Sequence, residues 1–263
     1  MALSTQKGET ARKWLDFFTA LIIPALLIAA WQAATESGVP SVVMPPLSGV
    51  WEAFLKSIST GELVSDMGYS LGRVLKGYLS ASVTGVVTGS LMGMFVPVRK
   101  LLHPMITSLR QIPMMAWIPL FILWFGIGEL EKTVVIVMAA FFPISENTFS
   151  GISNTPKQYL EVAKIHHMSA FRTFWKIYLP SAMPQIFVGL KLGLSSSWMA
   201  VVAAEMIAAS TGIGYRLSES RNMLRPEKVM VCMIIIGIVG IVMNKLITKL
   251  FEMLTPWRSR DGK

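Results

Sequence analysis

The chain has 263 residues, 53% of them hydrophobic and only 15% charged, with a formal charge of +9 and a mean hydropathy of +0.56. Soluble domains hold roughly 45–50% apolar residues, so this composition excludes an ordinary soluble enzyme and describes a polytopic membrane protein. The positive charge is assigned to membrane orientation rather than to nucleic acid, and the single cysteine, Cys232, excludes an internal disulfide and a cysteine-based metal site.

Six apolar segments are long enough for a hydrocarbon core that takes about 20 helical residues. They lie near 14–35, 70–96, 101–126, 133–151, 181–208 and 229–254, and predict an all-α integral membrane protein with residues 1–263 in one transmembrane domain. The first follows Arg12-Lys13 as in a signal peptide. Its apolar run of about 20 residues exceeds the 7–15 of such a leader, so it is read as an uncleaved span. With the N-terminus in the cytoplasm, the inner segments carry about twice as many Lys and Arg as the outer ones, which places both termini inside. The loop at 209–228, with Arg216, Arg221, Arg225 and Lys228, breaks that rule locally.

After the first span, the polar stretch Glu36 to Asp66 carries an acidic excess that suits the outer face, and Trp51 to Ile58 predicts a short amphipathic helix at the interface. The second span places Ala81, Gly85, Gly89 and Gly93 four residues apart, a stripe that lets a neighbouring backbone approach closely. In the third, Pro113 and Pro119 each remove a backbone donor and predict a kinked or locally unwound helix. The fourth, at 133–151, is the shortest.

Between the fourth and fifth spans, Glu161 to Pro180 reads EVAKIHHMSAFRTFWKIYLP. This charged, amphipathic stretch predicts a helical hairpin on an aqueous face, broken near His167. The fifth span holds Lys191, Ser195-Ser196-Ser197-Trp198 and Ala204-Glu205-Met206, and ends at Gly212-Ile213-Gly214. Ionisable residues at mid-bilayer each need a partner or water. The candidates within spans are Arg110, Glu146, Lys191 and Glu205, and Glu146 is expected to pair with Arg110 or Lys191. His103 reads as an interfacial residue. His166 and His167 are not a pH switch or a metal site, because adjacent helical side chains face different ways.

The hairpin resembles the cytoplasmic coupling loop of ATP-binding-cassette importer permeases. There, an E-A-A sequence is followed by glycine four residues on and by I-x-L-P at the end. Glu161, Val162, Ala163, Ile177, Leu179 and Pro180 fall on that spacing, with His167 at the glycine position. Further stretches narrow the resemblance: Ser70-Leu71 with Arg73-Val74-Leu75 and Gly77-Tyr78; Ile112-Pro113; Trp124-Phe125-Gly126-Ile127-Gly128-Glu129; and Ala203-Ala204-Glu205-Met206-Ile207. Over residues 45–258 the chain is similar to the permease subunits of nitrate, sulfonate, taurine and bicarbonate import systems.

The resemblance implies a type I importer permease with six transmembrane helices in a bacterial inner membrane, working as a pair of copies. Two ATPase subunits would hold ATP and magnesium, and an external substrate-binding protein would deliver a small anionic nutrient. Glu161, Val162, Ala163, His167, Ala170, Phe171, Leu179 and Pro180 are the expected ATPase-coupling residues. The sequence agrees that ATP chemistry belongs elsewhere: Gly72 to Gly77 has the glycine spacing of a phosphate loop, but Tyr78 follows in place of Lys. A single coupling loop per chain puts the path between two copies. Its expected lining comes from the kinked third and serine-rich fifth spans: Arg110, Met115, Trp117, Ser196, Trp198 and Glu205, where kinks and polar groups beside water are tolerated. No catalytic residue, metal ligand set or nucleic-acid surface is expected. The alternative, an ion-driven secondary transporter, predicts inverted repeats and gives the hairpin no purpose. An intramembrane hydrolase is disfavoured, because the serines at 195–197 lack a G-x-S-x-G turn.

Overall fold

The computed structural model describes Thr19 and residues 22 to 254. Both termini, including Lys7, Arg12, Lys13, Arg258, Arg260 and Lys263, lie outside the described residues, as does the start of the first expected span. From Ile22 onward that span is α1 (Ile22–Glu36). The Trp31 indole N–H then donates to the Pro45 carbonyl at 2.9 Å, fixing the turn that follows.

The expected interfacial helix is present as α2 (Leu47–Ser59), starting after Pro46. Val50, Ala53 and Ser57, spaced three and four apart, are its buried face, and Val50 and Ala53 pack with Val231. Trp51, Leu55 and Ile58 stay exposed. This division suits a helix lying along a membrane boundary.

The next helix, α3 (Glu62–Met94), has 33 residues. It meets α6 (Glu129–Ser153) along its small-residue stripe, and the close approach expected of Gly85, Gly89 and Gly93 is found. A Cβ on Gly77, Gly85 or Gly93 would strike the side chain of Ile136, Ile144 or Ile152, one α6 isoleucine for every two turns. A Cβ on Gly89 would strike the carbonyl oxygen of Ser145. The opposite face of α3, with Leu75, Leu79, Val83, Val87 and Leu91, is exposed and suits lipid.

The third expected span is locally unwound and sharply bent, as its prolines predict. Its two parts, α4 (Val96–Arg110) and α5 (Met114–Phe125), meet at an angle of 99°. Pro113, at the start of α5, has φ −55° and ψ 135°; it has no N–H and pushes the preceding residue out of helical conformation. Pro119 is accommodated inside α5 without a break.

The fourth expected span is longer than anticipated, because α6 runs for 25 residues. Lys132, just before the expected start of that span, is 3% exposed and donates to the Gly128 carbonyl at 2.8 Å. The hairpin comprises α7 (Lys157–Ile165), α8 (Ala170–Thr173) and a wide π turn (Phe174–Tyr178). It runs without interruption into α9 (Leu179–Ala208), followed by α10 (Ile213–Asn222) and α11 (Pro226–Leu254).

Among the described residues, three helical stretches are long and apolar enough to cross a membrane: Glu129–Ser153, Ala170–Ala208 and Pro226–Met253; the bent α4–α5 pair qualifies together. α6 is the central element, wedged between α3 and α9. Ile144 occupies the space above both Gly85 and Gly193, and Gly189 faces the Pro143 carbonyl and Asn147. Glycine on both neighbours is what admits a branched residue between three backbones.

Candidate functional site

The hairpin is held in shape by backbone rather than by burial. At the end of α7, the Met168 N–H donates to the Ala163 carbonyl and the His167 N–H to the Lys164 carbonyl, at 2.9 and 3.0 Å. Together these form a Schellman closure, in which the residue just past the helix is left-handed and usually glycine. His167 occupies it with φ 48°, so the turn survives the departure from glycine. Ser169 then caps α8, its Oγ accepting from the Arg172 N–H at 3.4 Å.

Of the expected coupling residues, Ala163 is buried beneath the turn and Leu179 is half-buried where the π turn becomes α9. Glu161, Val162, His167, Ala170, Phe171 and Pro180 are exposed. Glu161 is the fifth residue of α7, and the first turn holds no acidic residue. The helix dipole therefore does little for its charge, since that effect fades beyond the first turn. Ile165 and Phe171 remain 75% and 73% exposed, with Lys164 and Arg172 beside them in sequence. An exposed apolar surface of this kind marks a contact site for protein or membrane.

At the other end of the helices, a buried polar cluster joins five segments. Arg73 of α3 is its centre. Its Nε and Nη2 donate to Glu129 at 2.9 and 2.6 Å, and Nη1 donates to Glu205 and to the Thr211 carbonyl, both at 2.8 Å. Glu205 also accepts from the Ser70 hydroxyl at 2.8 Å and from the Gly214 N–H at 3.0 Å. The Ile213 N–H donates to Ser70 and the Gly212 N–H to Asp66, each at 3.0 Å. These are the free amides at the start of α10, which has no side-chain cap of its own; carboxylates and a hydroxyl from other helices supply the acceptors.

Gly212 has φ 109°, and a Cβ there would collide with the Glu205 carboxylate. A Cβ on Gly214 would collide with the Val202 carbonyl. The Gly212-Ile213-Gly214 sequence thus exists to let α10 close onto Glu205. Arg216 of α10 completes the cluster, donating to Asp66 and Glu219, both at 2.8 Å. Burial works against the Arg216 charge, but the Asp66 hydrogen bond and the fields of Asp66, Glu219 and Glu62 outweigh it and hold its pKa above the ordinary value.

The expected path residues separate into two groups. Met115 is exposed, Arg110 is partly exposed, and Trp117 and Ser196 are half-buried. Arg110 lies 3.9 Å from Glu146, whose other oxygen is 3.6 Å from His103, so Glu146 faces Arg110 rather than Lys191. Trp198 and Glu205 are enclosed instead. Trp198 is 5% exposed and donates to the Ile236 carbonyl of α11 at 3.0 Å. Glu205 is 1% exposed and saturated by Arg73, Ser70 and Gly214. In this conformation both join neighbouring helices, and Trp198 also lines a groove of about 490 Å³ between α9 and α11.

The sequence reading missed Arg73 as a buried charge. Its signal was available: Arg73 and Glu205 are opposite charges that both fall near the ends of their expected spans, and Glu205 precedes the glycine pair at 212 and 214.

Residues 81–260 match the family described as the binding-protein-dependent transport system inner membrane component. SsuC of Bacillus subtilis (strain 168), named as an aliphatic sulfonates transport permease protein, is 34% identical over 254 residues, covering 96% of this chain and 92% of that protein. The nitrate import permease protein NrtB of Leptolyngbya laminosa is 32% identical, covering 95% and 90%. The taurine transport system permease protein TauC of Escherichia coli (strain K12) is 30% identical, covering 89% and 87%. Among solved structures, an amino acid ABC transporter with histidines matches with a TM-score of 0.58 at 16% identity, over 76% of this chain and 96% of that one. The MetNI methionine ABC transporter in an inward-facing form matches at 0.54 and 16%, over 68% and 92%. At such identities, these two likenesses speak for the fold alone.

Proposed function

Because the chain belongs to the family of binding-protein-dependent transport system inner membrane components, we propose that two copies of it form the membrane path of an importer for a small anion of the sulfonate or nitrate class. The chain itself is the permease, a multi-pass transport component. In the proposed assembly, ATP and magnesium are held by two ATPase subunits beneath it, and an external binding protein supplies the solute. Both termini and the hairpin of α7 and α8 face the cytoplasm, and six helices of each copy cross the membrane.

The observation that carries this reading is the hairpin: an exposed, ordered pair of short helices continuous with a membrane helix through the π turn. Movement of the hairpin by an ATPase would pass into α9, which packs on α6. Relatives named for sulfonate, taurine and nitrate transport support the substrate class.

The test is reconstitution of the chain with the ATPase and binding protein of its transport system, scored for ATP-driven uptake. Glu161→Lys should abolish coupling while the permease still inserts. Unchanged uptake by that variant would remove Glu161 from the coupling surface. Uptake driven by an ion gradient without ATP would favour the secondary-transporter alternative.

A further inference from the structure

Near the hairpin, a groove of about 610 Å³ runs between the last three turns of α3 and the π turn. Val86, Val87, Leu91 and Phe95 form one wall, and Phe171 and Trp175 the other. Val87, Leu91, Phe171 and Trp175 are each at least 41% exposed, so the groove is open along the side of the helices.

Two features indicate what fills it. The first is Ser90, which lines the groove and is 6% exposed, with a buried hydroxyl that has no hydrogen-bond partner. Elsewhere on α3, Ser80, Ser82 and Thr84 each donate to the carbonyl four residues back. Ser90 makes no such bond, so its donor is left unsatisfied among the described residues. The second feature is charge. Arg172 and Lys176 adjoin Phe171 and Trp175 in sequence, and Arg99 lies one turn beyond Phe95, its N–H bonded to the Phe95 carbonyl at 3.0 Å. With Lys100, these cations are exposed, and none has a carboxylate partner among the described residues.

We propose that this groove is a binding site for one anionic phospholipid of the cytoplasmic leaflet. An acyl chain lies along Val86, Val87 and Leu91, and the headgroup phosphate meets Arg99 and Lys176. Ser90 lies five residues before Phe95, about 7.5 Å along the helix. That is the depth of ester carbonyls below the headgroups, given an interfacial layer of roughly 5–8 Å on each side of the hydrocarbon. Trp175 stands at the boundary level that indoles favour. Basic clusters at a cytoplasmic boundary select anionic lipid. The leaflet assignment rests on the orientation proposed above; the groove and its cations do not.

The test is native mass spectrometry of the full-length chain released from nanodiscs of mixed phosphatidylglycerol and phosphatidylcholine. The parent should retain phosphatidylglycerol selectively. Arg99→Gln with Lys176→Gln should lower that retention about tenfold, and Val87→Trp, which fills the groove from an exposed position, should remove bound lipid of both kinds. Equal retention of the two lipids by the parent, or unchanged retention in the variants, would overturn the site. A benzophenone placed through Leu91→Cys should yield a lipid adduct on illumination; a peptide adduct from a second copy would show that protein covers the groove. Transport is not measured, so the result stands apart from the importer reading.

Discussion

Glu205 shows how a residue's surroundings decide its role. A carboxylate within a membrane helix invites a functional reading, yet here it completes a closed set of hydrogen bonds with Arg73, Ser70 and the Gly214 amide. Removing one partner of a buried pair leaves an uncompensated charge and costs about 3–5 kcal/mol. Glu205→Ala should therefore lower stability by an amount near the bottom of that range, because Arg73 keeps Glu129. Arg73→Met with Glu205→Met should cost less than the two single changes together. Denaturant unfolding in detergent measures both, and additive losses would show that the pair is not coupled. His167 is the complementary case. It holds a left-handed position at φ 48°, where strain is of the order of 1 kcal/mol. His167→Gly should raise thermal stability by up to about that amount and leave uptake within a few-fold of the parent. A variant that assembles but fails to transport would show that the imidazole acts chemically.

The helices α3, α6 and α9 owe their arrangement to where glycine allows contact. A Cβ at Gly89 would meet the backbone oxygen of Ser145, which cannot turn aside as a flexible side chain could. Gly89→Ala should cost about 1–3 kcal/mol through overpacking, while Gly237→Ala, with nothing within 4 Å, should be neutral or slightly favourable. Melting of the two variants side by side separates helix contact from helix propensity; equal losses would remove the contact argument. The stripe was readable because its period of four matches a helix face. The 99° break between α4 and α5 was readable only in part. Pro113 and Pro119 look alike in sequence, but Pro113 stands just before the first residue of α5 while Pro119 is carried inside that helix.

In the proposed pair, each copy would contribute to the lining of the path. The exposed Met115 and the half-buried Trp117 and Ser196 are the residues best placed to do so. Single cysteines at these three positions should react with small water-soluble thiol reagents in the reconstituted complex, at rates that change when ATP binds. Trp198→Cys should stay slow in every state, since position 198 is enclosed against α11. Native Cys232 is itself 2% exposed and gives little background. Fast labelling at 198 with none at 115, 117 and 196 would move the path to the groove between α9 and α11.

Composition and apolar run length were enough to establish a membrane protein built of helices. The Glu161-to-Pro180 pattern identified the hairpin, because local spacing and backbone chemistry set a short solvated turn. What the sequence did not determine was which charges meet. Arg73 and Glu205 are separated by 132 positions, and Ser70 and Asp66 reach amides of α10 that no local pattern links to them. Such pairings depend on the register between packed helices, which glycine clearances and branched side chains fix jointly. That register, absent from any single stretch of sequence, is what set Glu205 against Arg73 and Trp198 against α11.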